Sequence, residues 1–149
     1  MQEYHQLPCS FRDLLSHKPL RKVPLVESVR RNIFLLLTTH LGEYRYDPTF
    51  GCVVWEHDFE LVYTLSSWQH RIEDLIKTSI QAHEPRLSEP QVRVQIAEEE
   101  WQQQESIPGS TISAAKKRIN VSVSGKLKAT NEQVDYPDFI LFFSPVSMD

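Results

Sequence analysis

Between Leu25 and Gly42 the apolar residues Val26, Val29, Ile33, Leu36, Leu37 and Leu41 recur at spacings of three and four, the period of one helical face. Glu27, Arg30, Arg31 and Asn32 lie off that stripe. The block Ile33 to Leu37 is apolar on every side, which predicts a helix nearly engulfed in its second half. Gly42 follows the last periodic residue and suits a left-handed C-terminal cap. A second stripe, Trp68, Ile72, Leu75, Ile76 and Ile80, predicts a second helix. Ser66 and Gln69 match a capping box at its start. Pro85 disfavours helical geometry at Glu84 and ends the pattern near Ala82 or His83.

Between the helices, Asp47-Pro48 and Gly51 punctuate a turn. "CVVW" and "FELVYTL" have the β-branched and aromatic content of short strands. Beyond Pro85 the period falls to two. Val92, Val94 and Ile96 alternate with Arg93 and Gln95, and Ile119, Val121 and Val123 alternate with Asn120, Ser122 and Ser124; both patterns predict half-buried strands. The polar "EEEWQQQESIPGSTISAAKK" between them reads as a long connection. "YPDFILFFSPV" is a last strand whose unbroken apolar run predicts burial on both faces. Strands in succession without crossover helices favour antiparallel pairing. The expected fold is α+β: two amphipathic helices packed on a mainly antiparallel sheet of about four to five strands, with an N-terminal arm.

That arm is residues 1–24, and the remaining domain spans 25–149. Within the arm, "CSFRDLLSHKPL" predicts one or two helical turns, with Ser10 as N-cap and Phe11, Leu14 and Leu15 on one side. So short a helix is unstable alone. Its apolar side must dock on the parent domain or on another protein, and both remain open.

Composition narrows the function classes. A chain of 149 residues with 40% hydrophobic content is of single-domain size and has enough apolar residues for a core. The net charge of −4 comes from interspersed signs, and no basic face of the kind nucleic acid requires can be assembled. "AAKKRINV", the densest basic cluster, reads as a solvated strand entrance. Cys9 and Cys52 form neither a disulfide framework nor a metal spacing. The N-terminal "MQEYHQLPCSFRDLL" lacks the pattern of a signal peptide. The runs "IFLLL" and "FILFF" are too short to cross a bilayer. A cytoplasmic protein without membrane insertion is expected.

Candidate chemistry is sparse. Hydrolysis of a sugar bond needs two carboxyl groups across a cleft, one with a raised pKa. Glu43, Asp47, Glu56, Asp58 and Glu84 are available, but no spacing singles out a pair. The six histidines are scattered, and neither Cys52 with His57 nor His5 with Cys9 has zinc spacing. Four widely spaced glycines build no phosphate loop. No catalytic residue, metal or cofactor is expected.

What stands out is "HEPRL", where a carboxylate and a guanidinium flank a proline at the helix stop. In an extended segment Glu84 and Arg86 project to the same side, and Pro85 stiffens the backbone between them. Arg86 can fork onto a carboxylate or a main-chain carbonyl, and Glu84 accepts from amides or arginine. The pair is either an internal staple pinning the helix-to-strand corner or a device presented to a partner.

"HEPRL", set between an amphipathic helix and a "VRV" strand, resembles the Glu-Pro-Arg signature of the phage baseplate wedge family with the historical "lysozyme-like" label. That family includes the type VI secretion component TssE. "SVRRNIFLLLTTHLGEYRYDPTFG" is similar to its other hallmark, a helix ending in a Thr and Gly-Glu region followed by a Pro-x-Phe-Gly turn. "CSFRDLLSHKPL" is similar to the Leu/Arg-rich segment that opens many TssE chains. The resemblance covers most of residues 10–97. It implies a non-enzymatic part of a contractile injection machine, acting within a sixfold hetero-oligomeric assembly beside TssF, TssG and the sheath proteins. Carried over, Glu84, Pro85 and Arg86 would dock on the wedge core bundle and the sheet would template the first sheath ring. A subunit of a contractile phage tail or phage-derived tail is the alternative, and a peptidoglycan-cleaving lysozyme a distant one. The polar segment from Glu98 to Lys117 departs from the family pattern by its length.

Overall fold

The computed structural model describes residues 3–57, 65–104 and 111–143. In chain order these form β1 (Glu3–His5), α1 (Phe11–Leu15), β2 (Lys22–Pro24), α2 (Leu25–Thr38), a short 3-10 helix (Val53–His57), α3 (Leu65–His83), β3 (Leu87–Gln104), β4 (Thr111–Leu127) and β5 (Gln133–Phe143). The class is the expected α+β, with five described strands divided between two antiparallel sheets, β1-β2 and β3-β4-β5.

The core forms where the stripes of α2 and α3 meet one face of the larger sheet. Val29, Ile33, Leu36 and Leu37 from α2 and Ile72, Ile76 and Ile80 from α3 join Val94, Ile119, Val121, Val123, Leu127, Phe139 and Leu141 of the strands. Alternation in β3 and β4 sends the expected residues inward. Polar Asn120, Ser122 and Ser124 remain half-exposed on the opposite side.

Several expectations are corrected. Phe34 is 47% exposed, so the second half of α2 is not engulfed. It shares a helical face with Val26 and Arg30, which also look outward. Helix α2 stops at Thr38, with Thr39 extended. Thr38 and Thr39 donate side-chain hydrogen bonds back to the carbonyls of Phe34 and Leu35, serving groups that a glycine cap would serve. Gly42, at φ +76°, instead shapes the following loop, where its N–H donates to Pro48 O at 2.9 Å. "CVVW" is no strand. It enters the 3-10 helix because Cys52 and Val54 are buried while the Trp55 indole turns to donate to Leu37 O at 2.9 Å. Of "FELVYTL" only Leu65 is described, and it opens α3. The capping box does not form: Ser66 lies inside the helix, and Gln69 donates its side-chain amide to Val94 O at 2.6 Å.

The polar connection is largely strand. β3 and β4 pair from Leu87↔Leu127 out to Gln104↔Thr111, leaving only residues 105–110 outside the described hairpin. The register sets Glu98 across from Lys117 and Glu99 across from Lys116, so the pairing runs on without an apolar alternation. In β5 the apolar run is buried on one face only. Tyr136, Phe139 and Leu141 point inward, whereas Ile140 and Phe142 are 40% and 52% exposed, since α2 and α3 pack against one face of the sheet.

Candidate functional site

Helix α3 ends where Glu84 N–H makes its last helical bond, to Ile80 O at 2.8 Å. Pro85 then cannot continue the helix. Glu84 O accepts from Leu87 N at 3.2 Å, which closes a four-residue turn with proline at its second position, the place its fixed φ favours. The segment is thus a turn and not extended. Even so, the turn brings Glu84 and Arg86 face to face. The Lys128 N–H bonds Arg86 O at 2.9 Å and ties the turn to the end of β4.

Glu84 is buried, with a side chain of 0% exposure. Its Oε1 accepts from Arg86 Nε at 2.7 Å and from the Arg86 N–H at 3.2 Å. Its Oε2 accepts from Arg86 Nη2 at 2.6 Å and from Asn32 Nδ2 at 2.9 Å. Both oxygens are therefore engaged within the chain, by the paired fork geometry that makes arginine–carboxylate contacts strong. A buried carboxylate is tolerable only with such partners. These hydrogen bonds, ahead of the opposing effect of burial, raise the Arg86 pKa above its ordinary value.

Helix α2 closes the site from behind. Ser28 Oγ accepts from Arg86 Nη1 at 3.0 Å. Asn32, one turn on, reaches both Glu84 and His83 O. The arm contributes Tyr4, whose ring lies 5.4 Å from the Arg86 guanidinium, in the range of a cation–π contact. Tyr136 lies close by. Burial first, and the Glu84 charge second, push its pKa up to about 12, and its hydroxyl donates to Val26 O at 3.0 Å. Ser28, Asn32 and Tyr4 were absent from the sequence-based list. The available signal was Ser28 and Asn32, four apart beside the apolar stripe, where polar side chains are drawn toward the interior.

The three residues of the signature thus differ in what they show to solvent. Glu84 faces its own chain, Pro85 is exposed, and Arg86 keeps a side chain 31% exposed. The other sequence-derived candidates, Phe11, Leu14 and Leu15, lie on α1, which Ser10 caps by accepting from Asp13 N at 3.4 Å. They are 79%, 44% and 83% exposed. Helix α1 buries no residue, so its apolar side is not docked at home. The β1-β2 ladder, Glu3↔Pro24 to His5↔Lys22, closes the loop that displays it.

Two carboxylates from the catalytic survey serve as caps. Glu43 accepts from His40 N at 2.9 Å, and Asp47 accepts from the backbone and side chain of Thr49. The Thr49 hydroxyl is the main reason the Asp47 pKa is lowered. Glu56 and Asp58 fall outside the described side chains.

Comparison with known proteins gives a family. No curated protein matches the chain. Among solved structures, a crystal structure of a Geobacter sulfurreducens protein named for the tail lysozymes is similar, with a TM-score of 0.53 and 16% sequence identity. The match covers 85% of this chain and 96% of that one. At that identity the likeness concerns the fold. The family described as "Baseplate wedge protein gp25" matches residues 23–132, a span that holds α2, α3, the Glu-Pro-Arg turn and the β3-β4 hairpin. The chain belongs to this baseplate wedge family, whose members are structural parts of phage-tail-like baseplates.

Proposed function

We propose that this protein is a structural, non-enzymatic wedge subunit of a type VI secretion baseplate, similar to TssE and working in the cytoplasm. Residues 1–24 act as an arm that carries α1. The observation that carries the reading is the family match across residues 23–132, supported by two features that reach the surface. One is the Pro85-Arg86 turn, set on a buried Glu84 anchor, which would dock on a core bundle formed by TssF and TssG. The other is α1, whose Phe11, Leu14 and Leu15 have the spacing by which a short helix enters an apolar groove.

The larger sheet fits the third role, a template for sheath strands, through its β5 side. At the opposite edge, α3 occupies both backbone groups of Val94. Gln69 donates to its carbonyl at 2.6 Å, and Glu73 accepts from its N–H at 2.9 Å. On the β5 side Ile140 and Phe142 are exposed, and Pro137 sits within the strand, as an edge strand permits. An incoming strand would add there by main-chain hydrogen bonds.

The same family match accommodates a subunit of a contractile phage tail, which the neighbouring genes distinguish. A muralytic role is disfavoured by the carboxylates themselves. Glu84 has both oxygens bound inside the chain, and Asp47 has a lowered pKa, the opposite of a general acid's requirement.

Affinity capture from the native host, read by mass spectrometry, tests the proposal. Wedge and sheath proteins are expected with the native chain and are lost with Phe11→Ser/Leu15→Ser, whose sites are too exposed to affect folding. Recovery of neither class with the native chain, or clearing of peptidoglycan by the purified protein, would overturn it.

A further inference from the structure

A guanidinium carries five N–H donors. In Arg86 two of them meet Glu84, at 2.7 and 2.6 Å, and a third meets Ser28 at 3.0 Å. One donor remains on each terminal nitrogen, on a side chain 31% exposed. The guanidinium carbon lies over the Tyr4 ring. What the corner offers a neighbour is therefore the outer edge of the group, with two donors close together.

Charge decides which acceptor suits that edge. Glu84 sits directly behind Arg86, with no exposed side-chain surface, and the two are neutral as a unit. Because Coulomb energy falls as the inverse of distance, the Glu84 carboxylate cancels roughly half of the attraction Arg86 would exert on an incoming anion. That anion would still lose its full hydration on docking. An uncharged oxygen escapes both the repulsion and most of the desolvation. Paired uncharged oxygens without partners are found at the C-terminal end of a helix, where the last four carbonyls lack intrahelical donors and carry the negative end of the helix dipole.

We propose that the free edge of Arg86 grips main-chain carbonyl oxygens at the C-terminus of a partner helix, and not a partner's Asp or Glu side chain. The inference rests on the docking role proposed above and names the group that would be docked upon. Glu84 is then a positioning residue. It fixes the fork and neutralises it, so that an uncharged acceptor is preferred.

The test uses the full chain, its Arg86→Lys variant and the purified TssF–TssG complex, with affinity measured at low and high ionic strength. Lysine keeps the charge but has no planar fork. Loss of these hydrogen bonds is expected to weaken binding at least about 10-fold, by the same factor at both salt levels. A penalty that shrinks at high salt, or a variant that binds like the native chain, would indicate a charge–charge contact and overturn the proposal. Native chain that fails to bind at all removes the docking role and this inference together, whereas binding with the wrong salt response removes the inference alone. Should Arg86→Lys prove unfolded by circular dichroism, a map of the assembled wedge decides: carbonyl oxygens against the Arg86 terminal nitrogens support the assignment, and a carboxylate there refutes it.

Discussion

Asn32 and Glu84, 52 positions apart in sequence, meet in a 2.9 Å hydrogen bond from the amide of one to the carboxylate of the other. The bond joins α2 to the turn after α3 at a point where Glu84 has no contact with water. Asn32→Ala leaves one carboxylate oxygen with Arg86 alone. A lost hydrogen bond to a buried charged group costs about 1–3 kcal/mol. Urea denaturation should show that loss at an unchanged slope, and an unchanged midpoint would mean that the bond is not formed in solution.

Breaking the ion pair should cost more. Removing one member of a buried pair strands the other, at about 3–5 kcal/mol. Arg86→Glu is worse in kind, because it sets a second carboxylate against a buried one. This variant is expected to unfold well below the native melting temperature, so failure to bind partners would say little about docking. Thermal melts of Arg86→Glu beside Arg86→Lys check the order, with the lysine variant the more stable.

Gly51 has φ +138°, a region open to glycine and strained for other residues. A Cβ there would stand 2.8 Å from Thr39 O and 2.9 Å from His40 O, both backbone atoms that cannot swing aside. Gly51→Ala therefore suffers strain and overlap together, and backbone strain of this kind costs about 1–3 kcal/mol. Gly42→Ala, with nothing within 4 Å of the added carbon, should lose less. Equal melting temperatures for the two variants would contradict the packing of this loop on the end of α2.

Tyr136 predicts a pH effect. Its pKa rises from 10.0 to about 12 on folding, so the folded protein holds a proton that the unfolded chain releases between those values. Stability from this group is complete below pH 10, falls as pH climbs through that window and levels off beyond it. The maximal slope is about 1.4 kcal/mol per pH unit. Lysines titrate in the same range, so the contribution is read as the difference between the native protein and Tyr136→Phe. Parallel curves for the two would show that Tyr136 is not held neutral.

What was legible in the sequence followed from period and burial. Val29, Ile33, Leu36 and Leu37 on α2, and Ile72, Ile76 and Ile80 on α3, announced their faces because a helix has one way to bury residues three and four apart. Two errors came from reading hydrophobicity as burial. Phe34 and Phe142 are apolar yet exposed, since a helix lying on a sheet and a strand covered by helices on one face each bury only one side. The polar stretch was misjudged for the converse reason. Glu98 and Glu99 pair as strand with residues 19 and 17 positions away, Lys117 and Lys116, and no local period records that register. At the corner, Glu84 and Arg86 were visible as a pair held by Pro85. Their surroundings were not, because Tyr4, Ser28 and Asn32 reach them only once the chain has folded.

Gln69 and Glu73 lie one helical turn apart on α3, and between them they satisfy the carbonyl and the N–H of Val94. Those two groups belong to the outer edge of β3, which among the described residues has no strand beside it. An uncovered edge is a template for pairing with another chain, so the two side chains act as a guard as well as a brace. Removing them in Gln69→Ala/Glu73→Ala should cost about 1–3 kcal/mol through the lost hydrogen bonds. It should also free Val94 and the alternating residues around it to accept a foreign strand. Sedimentation velocity across a range of concentrations is expected to show more self-association for the double variant than for the native chain. Phe11→Ser/Leu15→Ser changes exposed apolar residues away from this edge and should leave that difference intact. A double variant that sediments like the native protein at every concentration would mean that β3 is closed by something other than these two side chains.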